Sequence, residues 1–125
     1  FCGSISRKEV PDFLRSIDVL AVPSNYMETG PLVVLEAHAF GVPVMGADLG
    51  GISERIRDGV DGWLLPFDDS AAWAATIQQI VLDREKLAQI ASNIEPCRTM
   101  GDVASEMAAL YRQILAETSN ESATA

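Results

Sequence analysis

Apolar and polar positions follow two different patterns, and the change between them divides the chain near residue 66. Up to that point, short apolar runs bounded by Pro and Gly alternate with helical patterns. Asp18-Val-Leu-Ala-Val-Pro23 is a continuous apolar run closed by proline, the mark of a buried parallel strand. Val42-Pro-Val-Met-Gly46 is a second, with Pro43 tolerable near its first residue. Trp63-Leu-Leu-Pro66 is a third, following the turn cluster Asp58-Gly-Val-Asp-Gly62. Phe1-Cys-Gly-Ser-Ile5 reads as a strand entering a loop. Between these runs, Ser6 to Ser16 suits a short helix with Pro11 in its first turn. Pro31 to Phe40 reads as a helix with Gly30 as its cap, Pro31 in first position and Gly41 as its end. Asp48 to Ser53 then turns the chain into a short helix around Glu54 to Arg57.

From Ser70 the pattern is helical only. Ser70 is a candidate cap for a helix reaching about Asp83, and Asp83 or Arg84 opens a second that reaches Ser92. Asp102 is a candidate cap for a third running through Leu115, with Val103, Met107, Leu110 and Ile114 at helical spacing. Residues 117–125 are small and polar and are expected to be disordered. The predicted architecture is α/β: a partial Rossmann-like domain over residues 1–116, with a parallel sheet of about four strands flanked by helices and a helical C-terminal part.

Composition changes this picture little. The 125 residues suffice for one domain, and 48% hydrophobic with 22% charged residues is ordinary for a globular protein. No apolar stretch reaches the roughly 18 residues of a membrane span, and no secretory signal pattern is present. Phe1 is not a natural start, so the chain is expected to begin inside a larger protein, and membrane association is expected only through parts outside it. The formal charge of −9, with Lys8 and Lys86 the only lysines, argues against nucleic acid as a partner. It does not forbid a small phosphorylated ligand, which backbone N–H groups can hold without lysine. Cys2 and Cys97 lie far apart without metal-ligand spacing and read as reduced thiols of a cytoplasmic protein.

Open parallel sheets bind ligands outside the carboxyl ends of their strands, which directs attention to the segment Asn25 to Gly41. Apart from Glu36 and His38 its helix is apolar all round, which predicts burial on most sides. A carboxylate there is costly unless paired; a buried salt bridge or a glutamate reaching solvent at the helix top would explain Glu36 without any ligand. Position favours a ligand. Glu36 lies about 7–8 Å along the helix from Pro31, and Glu28 stands in the loop before it. Between them is a helix N-terminus at the carboxyl end of a strand, a natural anion site. A ligand with phosphate in the middle and hydroxyls at both ends fits that layout, as a nucleoside diphosphate sugar does.

Glu28 and Glu36, separated by seven residues, resemble the paired-glutamate motif of retaining glycosyltransferases with the two-domain GT-B fold, in particular glycosyltransferase family 4 (glycosyl transferases group 1). The likeness extends to Asp18-Val-Leu-Ala-Val-Pro23-Ser24, Leu35-Glu36-Ala37 and Gly41-Val-Pro43-Val44. It continues through Gly50-Gly51-Ile-Ser-Glu54, Asp58-Gly59 and Gly62-Trp-Leu to Tyr111-Arg-Gln-Ile-Leu, covering Phe1 to about Leu115. The resemblance implies sugar transfer from an activated donor with retention at the anomeric carbon, without a metal or other cofactor. It assigns Glu36 to ribose hydroxyls of the donor, Glu28 to the donor sugar and the reaction centre, and the backbone amides of Leu32 and Val33 to the diphosphate. Gly3-Ser-Ile5 resembles the segment whose backbone borders the nucleobase, which makes Ile5 a donor-binding residue. Many family members carry an aromatic residue and then Gly after the first glutamate, where this chain has Thr29-Gly30-Pro31. Pro31 has no N–H to offer a phosphate, while Gly30 permits close backbone approach. The family's basic residues for the leaving group, and its N-terminal acceptor-binding domain, lie upstream of Phe1, so the fragment alone is expected to be inactive.

Other positions carry plainer readings. Gly50-Gly51 reads as a tight turn, with close approach to a ligand as the alternative. His38 is expected buried and hydrogen-bonded, Trp63 and Trp73 as packing residues, and Arg55 and Arg57 on a solvated helix face. Two further classes compete with the enzyme: a non-catalytic nucleotide-sugar-binding or scaffold module of the same fold, and a phosphoacceptor receiver domain. The latter needs clustered acids and a lysine at a later strand end, and neither lysine here is so placed.

Overall fold

The computed structural model describes the backbone of residues 3–123 and the side chains of residues 3–117. Helix α1 (Val10–Arg15) carries a proline in its first turn, where the missing N–H costs nothing. It leads into strand β1 (Leu20–Val22), helix α2 (Leu32–Ala39) and strand β2 (Val44–Ala47). A short 3₁₀ turn (Gly50–Ile52) and a loop reach strand β3 (Gly62–Leu65), and helices α3 (Ser70–Leu82), α4 (Arg84–Ser92) and α5 (Met100–Ala123) follow.

The strands form one parallel sheet in the order β1-β2-β3, with Leu20 beside Val44 and Val44 beside Gly62. Among the described residues these are three of the expected strands. The remaining one is expected over Phe1 to Ile5; Phe1 and Cys2 lie outside the described residues, and Gly3 to Ile5 have no regular structure. Because β2 is central, it is buried on both faces, and the pleat sends alternate side chains to two separate cores. Val44 joins Leu14, Val22, Val34, Ala37, Val42, Ile52 and Ile56 beneath α1 and α2. Met45 joins Leu65, Ile80 and Leu87 beneath α3 and α4. Full burial of each such aliphatic side chain contributes about 1.5–3 kcal/mol, so β2 anchors both layers.

Several boundaries differ from expectation for local reasons. The expected helix around Glu54 to Arg57 is replaced by the 3₁₀ turn, continued by a bond from Arg55 N–H to the Ile52 carbonyl. Ile52, at its end, and Ile56, in the loop that follows, both enter the core. Asp69, rather than Ser70, caps α3 by accepting from the Ala72 amide at 3.0 Å. Asp83 caps α4 through the Lys86 amide at 2.9 Å. At the start of α5, Thr99 and Asp102 exchange bonds, the Asp102 carboxylate taking the Thr99 N–H and the Thr99 hydroxyl taking the Asp102 N–H. Asp102 is thus the inner member of a reciprocal cap rather than the cap itself. Helix α5 is described as far as Ala123, with Gln113 donating to Glu117; of the segment 117–125 expected to be disordered, residues 124 and 125 lie outside the described residues. Among the described residues no helix is long and apolar enough to cross a membrane.

Candidate functional site

The chain leaves the carboxyl end of β1 at Val22 and runs without regular structure to Gly30. Two contacts shape this loop. Ser24 Oγ donates to Glu28 Oε1 at 2.5 Å, leaving Glu28 half-buried. The Gly51 amide, from the segment after β2, donates to the Glu28 carbonyl at 2.6 Å. The approach is so close that a Cβ on Gly51 would lie 2.7 Å from that oxygen, and one on Gly50 would lie 3.0 Å from it. Gly50 also has φ +55°, a conformation most side chains disfavour. The glycine pair is therefore a packing surface for the Glu28 loop, which neither the plain-turn nor the ligand-contact reading anticipated.

The start of α2 follows at once. Pro31, not Gly30, is the cap residue, and no side chain caps the helix. The Val34 N–H closes on the Pro31 carbonyl at 3.1 Å, so the first-turn amides left without intrahelical partners are those of Leu32 and Val33. Both residues are exposed, and Gly30 borders open space, with nothing within 4 Å of where its Cβ would be. Glu36 is exposed one turn further along. This corrects the expectation that α2 is buried on most sides: only Val34 and Ala37 are buried, while Leu32 is 68% exposed. An apolar residue all round a helix shows no preferred face, and the single sheet beneath covers only one. Glu36 therefore bears no burial penalty that would demand a partner. Ile5 is also exposed, in the segment entering α1, and no hydrogen bond joins it to the α2 start among the described residues.

Behind α2 is a cavity of about 530 Å³, lined in part by Leu35, His38, Arg55 and Cys97. His38 Nε2 is buried there without a hydrogen-bond partner, while a hydrogen bond with the Asp61 backbone keeps the histidine bonded, as expected. Burial lowers the His38 pKa below its ordinary value; the Asp61 carboxylate opposes the shift and the Arg57 charge adds to it. Arg57 is also more than a solvated side chain. Its backbone N–H and Nε donate to the two oxygens of buried Asp61 at 2.8 and 2.7 Å. Its Nη1 reaches Glu95 at 2.5 Å and Nη2 the Asn93 carbonyl at 3.0 Å. The residue thereby ties the loop before β3 to the segment after α4. Trp73 packs as expected, with its indole N–H donating to the Pro66 carbonyl at 2.8 Å.

Residues 1–95 match the family described as glycosyl transferases group 1. The chain is 45% identical over 83 residues to a D-inositol 3-phosphate glycosyltransferase of Mycolicibacterium smegmatis, covering 66% of this chain and 19% of that protein. It is 44% identical over 73 residues to the enzyme of the same name from Nocardia farcinica, covering 58% of this chain and 16% of that one. The chain thus spans less than a fifth of the length of these relatives. Among solved structures, sucrose-phosphate synthase from Thermosynechococcus elongatus superposes with a TM-score of 0.77 at 30% identity, over 94% of this chain and 30% of that one. Anabaena HepE in complex with UDP gives 0.67 at 28% identity, over 91% and 30%. A parallel sheet with a glutamate loop at its carboxyl end, and a sequence matched over residues 1–95, place the chain in the glycosyl transferases group 1 family, within the GT-B fold.

Proposed function

We propose that the whole protein transfers a sugar, with retention, from a nucleoside diphosphate donor to an acceptor, and that this chain forms the donor-binding wall of its cleft. The observation that carries the reading is the loop bearing Glu28, braced at the carboxyl end of the sheet immediately before the uncapped start of α2. Negative charge builds on the diphosphate as it leaves the sugar, and a helix N-terminus with open amides stabilises it. In this reading the amides of Leu32 and Val33 hold the diphosphate, Gly30 allows it to approach, Glu36 takes the ribose hydroxyls, and Glu28 meets the donor sugar. Ile5 borders the base. The solved complexes of HepE with UDP and with UDP-glucose support a nucleotide sugar as ligand, with uridine the first base to test. The acceptor site and the cationic groups for the leaving phosphate belong to parts of the protein outside this chain. Transfer by the 125-residue chain alone is not expected. We assign the protein to the cytoplasm on its sparse, unspaced cysteines.

The test is thermal stabilisation of the full-length protein by UDP-, GDP- and ADP-sugars, since a ligand that binds only the folded state raises the melting temperature. At least one should shift it. Glu36→Ala should weaken a nucleoside diphosphate and its sugar conjugate equally, and Glu28→Gln only the conjugate. No shift with any of the panel refutes the reading.

A further inference from the structure

We propose that Ser24 is a positioning residue for Glu28, holding its carboxylate in the one orientation that meets the donor sugar; the proposal rests on the donor-binding reading above. Glu28 lies in a loop without regular structure, and its side chain has three rotatable bonds, so nothing in the local backbone fixes where its oxygens point. Two anchors, from the segments after β1 and after β2, supply the constraint. The Gly51 amide holds the main chain at the carbonyl, at 2.6 Å. The Ser24 hydroxyl, two residues past β1, holds Oε1 at 2.5 Å. Serine in a loop ordinarily turns its hydroxyl to a nearby backbone group. Here it spans four residues to a carboxylate, a charge-assisted bond stronger than a neutral one. With Oε1 occupied, Oε2 takes no hydrogen bond among the described residues and is the oxygen left to accept from a sugar hydroxyl. Pre-setting that oxygen removes the cost of ordering the side chain when the donor arrives.

The experiment measures dissociation constants of the full-length protein by calorimetry, for the nucleotide sugar that raises its melting temperature most and for the matching bare nucleoside diphosphate. Ser24→Ala should lose about tenfold to a hundredfold in affinity for the nucleotide sugar, the range expected for one charge-assisted bond. It should leave the bare diphosphate unchanged. Ser24→Thr, which keeps the hydroxyl, should restore the nucleotide-sugar affinity. The double variant Ser24→Ala/Glu28→Gln should bind no more weakly than Glu28→Gln alone, because Ser24 acts only through the Glu28 carboxylate. Equal weakening of both ligands, or additive losses in the double variant, overturns the proposal, since each marks a general packing role. So does an unchanged Ser24→Ala beside a weakened Glu28→Gln. If Glu28→Gln itself leaves the nucleotide sugar unaffected, or if no panel ligand binds, the donor-binding reading is what has failed.

Discussion

Replacing Gly51 by alanine tests the brace between the two loops directly. The new Cβ would stand 2.7 Å from the Glu28 carbonyl oxygen, 3.1 Å from Pro31 Cδ and 3.1 Å from the Thr29 carbonyl carbon. Two of these neighbours are backbone, which cannot swing aside as a side-chain tip can. To restore ordinary contact the Glu28–Pro31 loop must retreat by about half an ångström, an overpacking distortion that typically costs about 1–3 kcal/mol. The same retreat stretches the 2.6 Å bond from Gly51 N–H, whose loss adds about 1 kcal/mol. At roughly 4 °C per kcal/mol for a domain near this size, the transition of this domain should fall by roughly 8–16 °C. Scanning calorimetry of the full-length protein reads that shift. Gly30→Ala is the matched control: it lies in the same loop, its φ is not positive, and an added methyl meets nothing within 4 Å. It should change the melting temperature by no more than about 2 °C, the scale of a neutral surface change. Gly51→Ala should also weaken nucleotide-sugar binding, because Glu28 moves with its backbone. An unshifted Gly51→Ala, or equal losses in both variants, would refute the steric reasoning.

Three other outcomes follow. Ile52→Ala, at a side chain fully buried between α2 and β2, should cost about 2–5 kcal/mol by denaturant titration; a loss under 1 kcal/mol would mean the core closes over the gap. Asp69→Ala should destabilise by about 1 kcal/mol while Ser70→Ala stays nearly neutral, since only Asp69 accepts the Ala72 amide; the reverse order would return the cap to Ser70. His38 is held below its ordinary pKa in the folded protein, so the unfolded chain binds more protons over the window beneath 6.5. Its contribution is fully present above that value and is lost as pH falls toward the folded pKa. Melting temperature measured from pH 7 to 5.5 should therefore drop more steeply for the wild type than for His38→Gln, and parallel curves would contradict the buried neutral imidazole.

The parts of the fold set by local chemistry were readable in advance. The short apolar run ended by Pro23 is legible as a parallel strand, although β1 lies at the sheet edge with only Val22 buried, and Gly41, at φ +71°, stops α2 where a left-handed residue is needed. The acidic caps beside α3 were harder, because Asp69 and Ser70 are adjacent and chemically equivalent as caps. The exposure of α2 is not legible in its sequence, because an apolar ring of residues gives no face to bury, and only the sheet beneath decides which side is covered. The Gly51 bond to Glu28 joins positions 23 apart, and the Arg57 contacts span 36 and 38 residues. No periodicity reports contacts of that kind. The motif thus announced the two glutamates, while the devices that hold one of them came only from three dimensions.

The bond from Gly51 to the Glu28 carbonyl has a consequence for engineering. It makes the loops after β1 and β2 a single unit of exchange, though they are separate in sequence. A donor loop spanning residues 24–31, transplanted from a relative that carries the same glycine pair, would arrive with a backbone path shaped against it. Set down on a recipient with bulkier residues at positions 50 and 51, it would be displaced before any ligand bound. Shuffling experiments that aim to change donor preference in this family should therefore move both segments together, and failures of single-loop chimaeras would trace to a missing glycine rather than to a wrong side chain in the cleft.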